Sequence, residues 1–276
     1  MRPVFIEITI EDRQPGDEQK VGKLNLSLYG TRGAAQNWQR EYTDFMISIG
    51  FTVGRASPCN FYHPTYDISC TVHGDDFTTC GPEGSLQWFK TQIGGRYEAK
   101  HQFLGPNKSH ERSIRVLNRV LSWTNVGIEY DADQRHADLV VSELGMEGAK
   151  GVTTPGTSED QKKMLEDVGS PLCPSEATMY RALAARLNYL ALDRPDIQFA
   201  TKEIASNMAR PHEGHWIPFK RIARYLKDHP RLVQKIPWQR RSDYLHAYTD
   251  SDWAGCKITR KSTSGGIVFL GLHSIK

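Results

Sequence analysis

No stretch of this 276-residue chain approaches the roughly 18 uninterrupted apolar residues that a membrane-spanning helix needs. The opening MRPVFIEITIEDR carries Glu7 inside its apolar run and lacks a small-residue cleavage site, which argues against a secretory leader. Cysteine is sparse and odd in number. Cys59, Cys70, Cys80, Cys173 and Cys256 form no CxxC pair, so the expectation is free thiols in a reducing intracellular setting rather than a stapled secreted scaffold. The chain also lacks a phosphate-cradling GxxxxGK(S/T), a nucleophile-elbow GxSxG and an HExxH, which leaves NTPase, serine-hydrolase and zinc-protease readings without support. Internal repeats and low-complexity tracts are absent as well.

What is present is a folded composition: 38% of residues are apolar, enough for a sizeable core. The net charge is only +3, but it is unevenly spread. Nine Lys or Arg lie between Arg210 and Arg241 against two acids, Glu213 and Asp228, so more than the whole excess sits in that stretch.

Residues 4–10 alternate and read as a strand, followed by a polar turn. Trp38, Tyr42, Phe45, Met46 and Ile49 recur at helical spacing before Gly50, which predicts an amphipathic helix. Alternation on both sides of TNVG predicts a hairpin within 113–131, and Ala137, Val140, Val141 and Leu144 predict another helix. A Gly-, Thr-, Ser- and Pro-rich linker over 151–174 puts a boundary near residue 160. Ser175 then caps a helix with Tyr180, Leu183, Ala184, Leu187, Leu190 and Ala191 on its buried side, and Pro195 fits the first turn of the next. A third helix follows Gly214. Its apolar side is Trp216, Phe219, Ile222 and Leu226, while Lys220, Arg224 and Lys227, with Arg221 beside them, form a basic line. From Leu245 strand patterns return, so the fold class is α+β.

Two adjacent acids, Asp75 and Asp76, fall at the break between the apolar runs ISCTV and FTTC, which reads as a hairpin with carboxylates at its tip. Mg²⁺ takes hard oxygen ligands and is often held by one or two carboxylates beside substrate phosphates, so this tip suits a phosphoryl-transfer site. A rival set, Cys59, His63, Cys70 and His73, has C-x₃-H…C-x₂-H spacing and contains zinc-binding residue types. Cys70 lies on a strand read as core, so these four are expected to be structural rather than metal ligands.

Around the acids an ordered series of motifs appears. SLYGTRGAAQNW (27–38), RASPCNFYHP (55–64) and CTVHGDDFTTCG (70–81) are followed by Phe103, Leu104 and Gly105, GVTTPGT (151–157), YRALAARLNYLALDRPDIQFA (180–200), HW (215–216) and RYLK (224–227). In this order they resemble the reverse transcriptase of copia-type retrotransposon Pol polyproteins, and YTDSDWAGC with RKSTSGG (248–266) resembles the start of its RNase H domain.

The resemblance implies a right-hand polymerase palm and fingers fragment over 1–160, helical thumb or connection over 161–242, and the N-terminal part of an RNase H-like domain over 243–276. It implies an RNA-directed DNA polymerase in which Asp75, as principal ligand, and Asp76 hold Mg²⁺ or Mn²⁺ for two-metal nucleotidyl transfer. Tyr29, Arg32 and His73 would lie near nucleotide or template, Asp250 would be the RNase H remnant's acid, and Lys220, Arg221, Arg224 and Lys227 would bind nucleic acid. Implied partners are an RNA/DNA template–primer, dNTPs and the integrase and protease of a longer polyprotein; the implied location is a cytoplasmic virus-like particle or the nucleus. Two departures stand out: His73 and Gly74 replace the family's Tyr and Val before the acids, and the family's third carboxylate, in a DVKTAFL-like segment, has no match in residues 1–276. The isolated chain is therefore expected to be inactive; the alternative is a non-catalytic nucleic-acid-binding remnant or pseudogene product.

Overall fold

A computed structural model describes residues 3–256 and 259–275. The chain divides into two compact units, Met1–His101 and Gln102–Lys276.

In the first unit, β1 (Phe5–Glu7) and β2 (Val21–Lys23) pair as a short antiparallel ribbon. The strand expected over 4–10 is thus only three residues long, and Ile10–Asp12 turns as a 3-10 helix instead. Of its alternating apolar side chains Ile6 and Ile10 are exposed and Ile8 only half-buried, so little burial stabilises a longer run. After α1 (Ala34–Ser48) comes an antiparallel meander of β3 (Thr52–Val53), β4 (Asn60–His63), β5 (Ile68–His73) and β6 (Asp76–Cys80), and then α2 (Glu83–Arg96). Strand alternation gives the sheet two characters. Phe61, Ile68, Cys70 and Val72 are buried in one cluster with Tyr42 and Met46 of α1 and Phe89 and Ile93 of α2, and His63 is buried on the same face. Burial pushes the Cys70 thiol up to about 12, as expected of a core cysteine. The opposite face presents Tyr62, Ser69, Thr71 and His73 to solvent.

The second unit opens with β7 (Ser113–Val116), β8 (Arg119–Thr124) and β9 (Gly127–Asp131), with the expected hairpin turning at residues 125–126. Then follow α3 (Arg135–Glu143), α4 (Ser158–Glu166), α5 (Pro174–Ala191), α6 (Gln198–Ala205), α7 (Trp216–Asp228), β10 (Val233–Pro237) and a separate sheet of β11 (Leu245–Ser251), β12 (Ser264–Leu270) and β13 (His273–Ser274). The mixed α+β class is as expected. Every apolar position named for α5 is buried, as are Phe219, Ile222 and Leu226 of α7, in one cluster with α3 and α6.

Three local expectations change. The break in compactness falls at residues 101/102 rather than near 160, because β10 pairs with β9 and α3 packs on α5 and α7 across the supposed boundary. The supposed linker contains α4, whose start is set by the Thr157 hydroxyl accepting the Asp160 N–H at 3.2 Å. And α5 begins at Pro174, not after Ser175: proline suits a first helical position, and the Glu176 carboxylate accepts the Cys173 N–H at 3.1 Å.

The corner between α5 and α6 is polar and buried. Arg194, 1% exposed, donates to Asp196 and to the carbonyls of His229 (3.0 Å) and Pro230 (3.1 Å) beyond α7. Burial works to raise the Asp196 carboxyl, but the Arg194 guanidinium and the Tyr225 hydroxyl outweigh it and hold the group below its ordinary value. Next to it Asp193 accepts from Arg119 (2.9 Å) on β8 and from the Tyr130 hydroxyl (2.5 Å) on β9. Replacing Arg194 by Ala leaves the half-buried Asp196 without its countercharge and two carbonyls without this donor, and the chain should lose about 3–5 kcal/mol in urea unfolding.

His215, also buried, accepts the His212 N–H at its Nδ1 (3.0 Å), a role open only to the neutral ring. Burial, with a smaller contribution from His212, lowers its pKa below the usual 6.5. The unfolded chain therefore takes up a proton first as pH falls below about 6.5, so this group favours unfolding in that range and is silent above it. The expected outcome is a melting temperature that declines below about pH 6.5, with a smaller decline in His215→Gln.

Candidate metal and nucleic-acid site

The strands β5 and β6 join through a two-residue loop, Gly74–Asp75, with His73 and Asp76 directly opposed. Gly74 has φ +63, a conformation that glycine adopts without steric cost. Asp75 therefore sits on the turn itself and Asp76 opens β6 on the solvent side beside His73, all three exposed. Phe77 points the other way and meets the rings of Tyr42 (5.9 Å) and Trp38 (6.5 Å). The Trp38 indole N–H donates to the Gly74 carbonyl at 2.7 Å, so α1 holds the loop that carries the acids. Sequence reading placed Trp38 in the right helix but missed this bond; its position at the end of the SLYG…W motif was the available signal.

Exposed carboxylate oxygens are the donor type a hard divalent cation takes, so Asp75 and Asp76 fit Mg²⁺ or Mn²⁺ in kind. Among the described residues no group of three His, Cys, Asp or Glu side chains is placed to hold a metal. The zinc-like quartet is pulled apart by strand alternation. His63 and Cys70 face the core and His73 faces solvent, while Cys59 lies 3.8 Å from the Tyr42 hydroxyl. Both His63 nitrogens are already engaged, Nε2 with the Ile49 carbonyl (3.0 Å) and Nδ1 with the Tyr66 N–H (3.2 Å).

Tyr29 is fully exposed on the loop before α1, and Arg32 is exposed beside it. In the second unit Asp250 is exposed on β11, opposite Gly265. Asp252 turns back on its own loop and accepts the Thr263 N–H at 2.6 Å.

The basic line on α7 has partners that its spacing could not reveal. Arg221 donates to the Thr154 carbonyl (3.1 Å) and hydroxyl (2.8 Å) and pairs with Asp160 (3.2 Å). Arg224 donates to the Lys150 carbonyl (2.5 Å) and Lys227 to the Ala149 carbonyl (2.7 Å). Lys220 is exposed and has no such partner among the described residues.

Comparison with known proteins finds similarity along nearly the whole chain. The Retrovirus-related Pol polyprotein from transposon RE1 of Arabidopsis thaliana is 31% identical over 272 residues, 92% of this chain and 17% of the relative. That from transposon RE2 of the same plant is 28% identical over the same shares, and that from transposon TNT 1-94 of Nicotiana tabacum is 26% identical over 91% of this chain and 19% of the relative. The chain thus spans less than a fifth of the length of these curated relatives. No family model and no solved structure matches it.

The hairpin geometry makes its own prediction. Gly74→Ala should cost about 1–2 kcal/mol through its positive φ. Trp38→Phe should cost about 1 kcal/mol by leaving the Gly74 carbonyl without its donor. Urea unfolding followed by tryptophan fluorescence for the first variant, and by circular dichroism for both, checks these values.

Proposed function

The chain belongs to the Pol polyproteins of copia-type retrotransposons, and from that we propose that it is the stretch of such a polyprotein running from the reverse transcriptase palm into RNase H. The observation that carries this reading is the hairpin tip, with two adjacent carboxylates facing solvent on a loop anchored by Trp38. The motif order supports it, with the SLYG-like segment, the acid pair, the helical segment and YTDSDW in succession.

In this reading Asp75 is the principal cation ligand and Asp76 its helper. When bound, Mg²⁺ or Mn²⁺ supplies charge neutralisation at the transferred phosphate. The chain's own contribution is positioning. Trp38 and Phe77 fix the tip from behind, and the hydroxyl-rich outer face of the sheet offers donors to a sugar–phosphate backbone. Tyr29, Arg32 and His73, all exposed on this unit, are the proposed contacts to nucleotide and template. Template–primer and dNTPs are the proposed substrates, and the remaining Pol segments, integrase and protease among them, the proposed partners. Asp250 is the proposed RNase H acid.

Two carboxylates are fewer than two-metal nucleotidyl transfer uses, and among the described residues no third ligand joins them. Residues 1–276 alone are therefore proposed to bind the cation weakly without extending a primer. Titration with Mn²⁺, followed by the loss of its free electron-paramagnetic signal, should show binding that Asp75→Ala removes and Asp76→Ala weakens. Primer extension on an RNA template by the 276-residue chain, abolished by Asp75→Ala, would overturn the inactivity; Mn²⁺ binding indifferent to both changes would overturn the site.

A further inference from the structure

Three cations on successive turns of one face of α7 spend their hydrogen bonds on the chain's own backbone. Arg221, Arg224 and Lys227 reach residues 154, 150 and 149, and so seat the segment 149–157 as a strap across the helix. A carbonyl satisfies a donor but carries no charge. Arg221 has Asp160, and Lys227 has Asp228 at 3.6 Å, yet Arg224 has no acid partner among the described residues. The strap lies close to the helix at residue 151, where a Cβ would meet the Asp228 carboxylate and that side chain would have to turn aside. Its apolar anchoring is slight, with Val152 its contribution to the core cluster.

We propose that the strap and a polyanion are mutually exclusive ligands of α7: residues 149–157 occupy the cation row in the free protein, and a nucleic-acid backbone takes the row by displacing them. The exchange is favourable because phosphate offers these cations both hydrogen-bond acceptors and charge, whereas the carbonyls offer acceptors only. Arg224 is the centre of the exchange, and the unpartnered Lys220 one turn away is where a phosphate first binds. This rests on the nucleic-acid reading above and adds to it a built-in cover for the binding surface.

The test is a reversible lock. A Cβ at Gly156 would lie 3.6 Å from that of Ala200 on α6, within disulfide range, and Gly156 has an ordinary backbone φ. The full chain carrying Gly156→Cys and Ala200→Cys is titrated with a labelled 20-base-pair DNA duplex over a series of salt concentrations, oxidised and after reduction. The oxidised protein should bind at least about tenfold more weakly, with a salt slope shallower by about two to three units, as expected for three phosphate contacts withheld. Reduction should restore both. Equal binding in the two states overturns the proposal. The same outcome in a protein that binds the duplex well leaves the nucleic-acid reading standing, whereas no binding by the reduced and wild-type proteins sinks that reading and the exchange with it.

A second measurement needs no nucleic acid. Trypsin cleavage at Lys150–Gly151, whose carbonyl Arg224 holds, should accelerate more than about tenfold in Arg224→Gln/Lys227→Gln, since released loops are preferred sites of nicking. Cleavage elsewhere should be unchanged, apart from the two sites that the substitutions themselves remove. An unaltered rate at this bond shows that the cations do not hold the strap and overturns the proposal.

Discussion

The second unit depends on one guanidinium. Arg194 is buried at the corner between α5 and α6, where an unpaired charge would be prohibitively costly, so its surroundings must supply acceptors. Asp196 supplies the countercharge and the carbonyls of His229 and Pro230 supply the rest, which fixes where α7 ends relative to α5. Asp193, one residue earlier, does the same for the sheet through Arg119 and Tyr130, while its carbonyl accepts from Gln234 on β10. Four consecutive residues, Asp193 to Asp196, thereby tie together helices and strands lying up to about a hundred residues apart, and the apolar cluster of α3, α5, α6 and α7 closes around that frame.

The first unit solves a different problem, holding like charges side by side at an exposed tip. Asp75 and Asp76 are neighbours in the chain, but a hairpin end that moves freely would not hold them in one place. Alternation along β6 turns Phe77 inward against α1, and the Trp38 indole holds the loop carbonyl, so the tip is held from the side facing away from solvent. The acids stay exposed and adjacent while their backbone is held by aromatic packing and one hydrogen bond. This separation of rigid support from solvent-facing charge is what the proposed cation site would need.

The basic segment shows how charge on a sequence differs from charge on a surface. Between Arg210 and Arg241 the count of cations is high, but on α7 three of the four that form the line are held by the 149–160 segment. Their heads satisfy carbonyls that would otherwise need water. The electrostatic footprint available to a partner in the free chain is accordingly smaller than the composition suggests, and it grows only where that segment yields.

The sequence by itself determined the features that repeat or that stand in order. The α5 and α7 stripes were legible because burial follows the 3.6-residue period, the acid hairpin because two apolar runs flank a glycine, and the family because its motifs succeed one another along almost the whole chain. Only the tertiary structure decided what meets what. That β10 completes the sheet begun by β7 to β9, that the division falls at residue 101, that the expected linker carries α4, and that Arg224 holds the backbone of Lys150 are facts about pairs far apart in the chain. Periodicity records which side of an element is buried but not the partner that buries it, and a charged side chain looks the same in sequence whether it faces solvent, a phosphate or a carbonyl of its own chain.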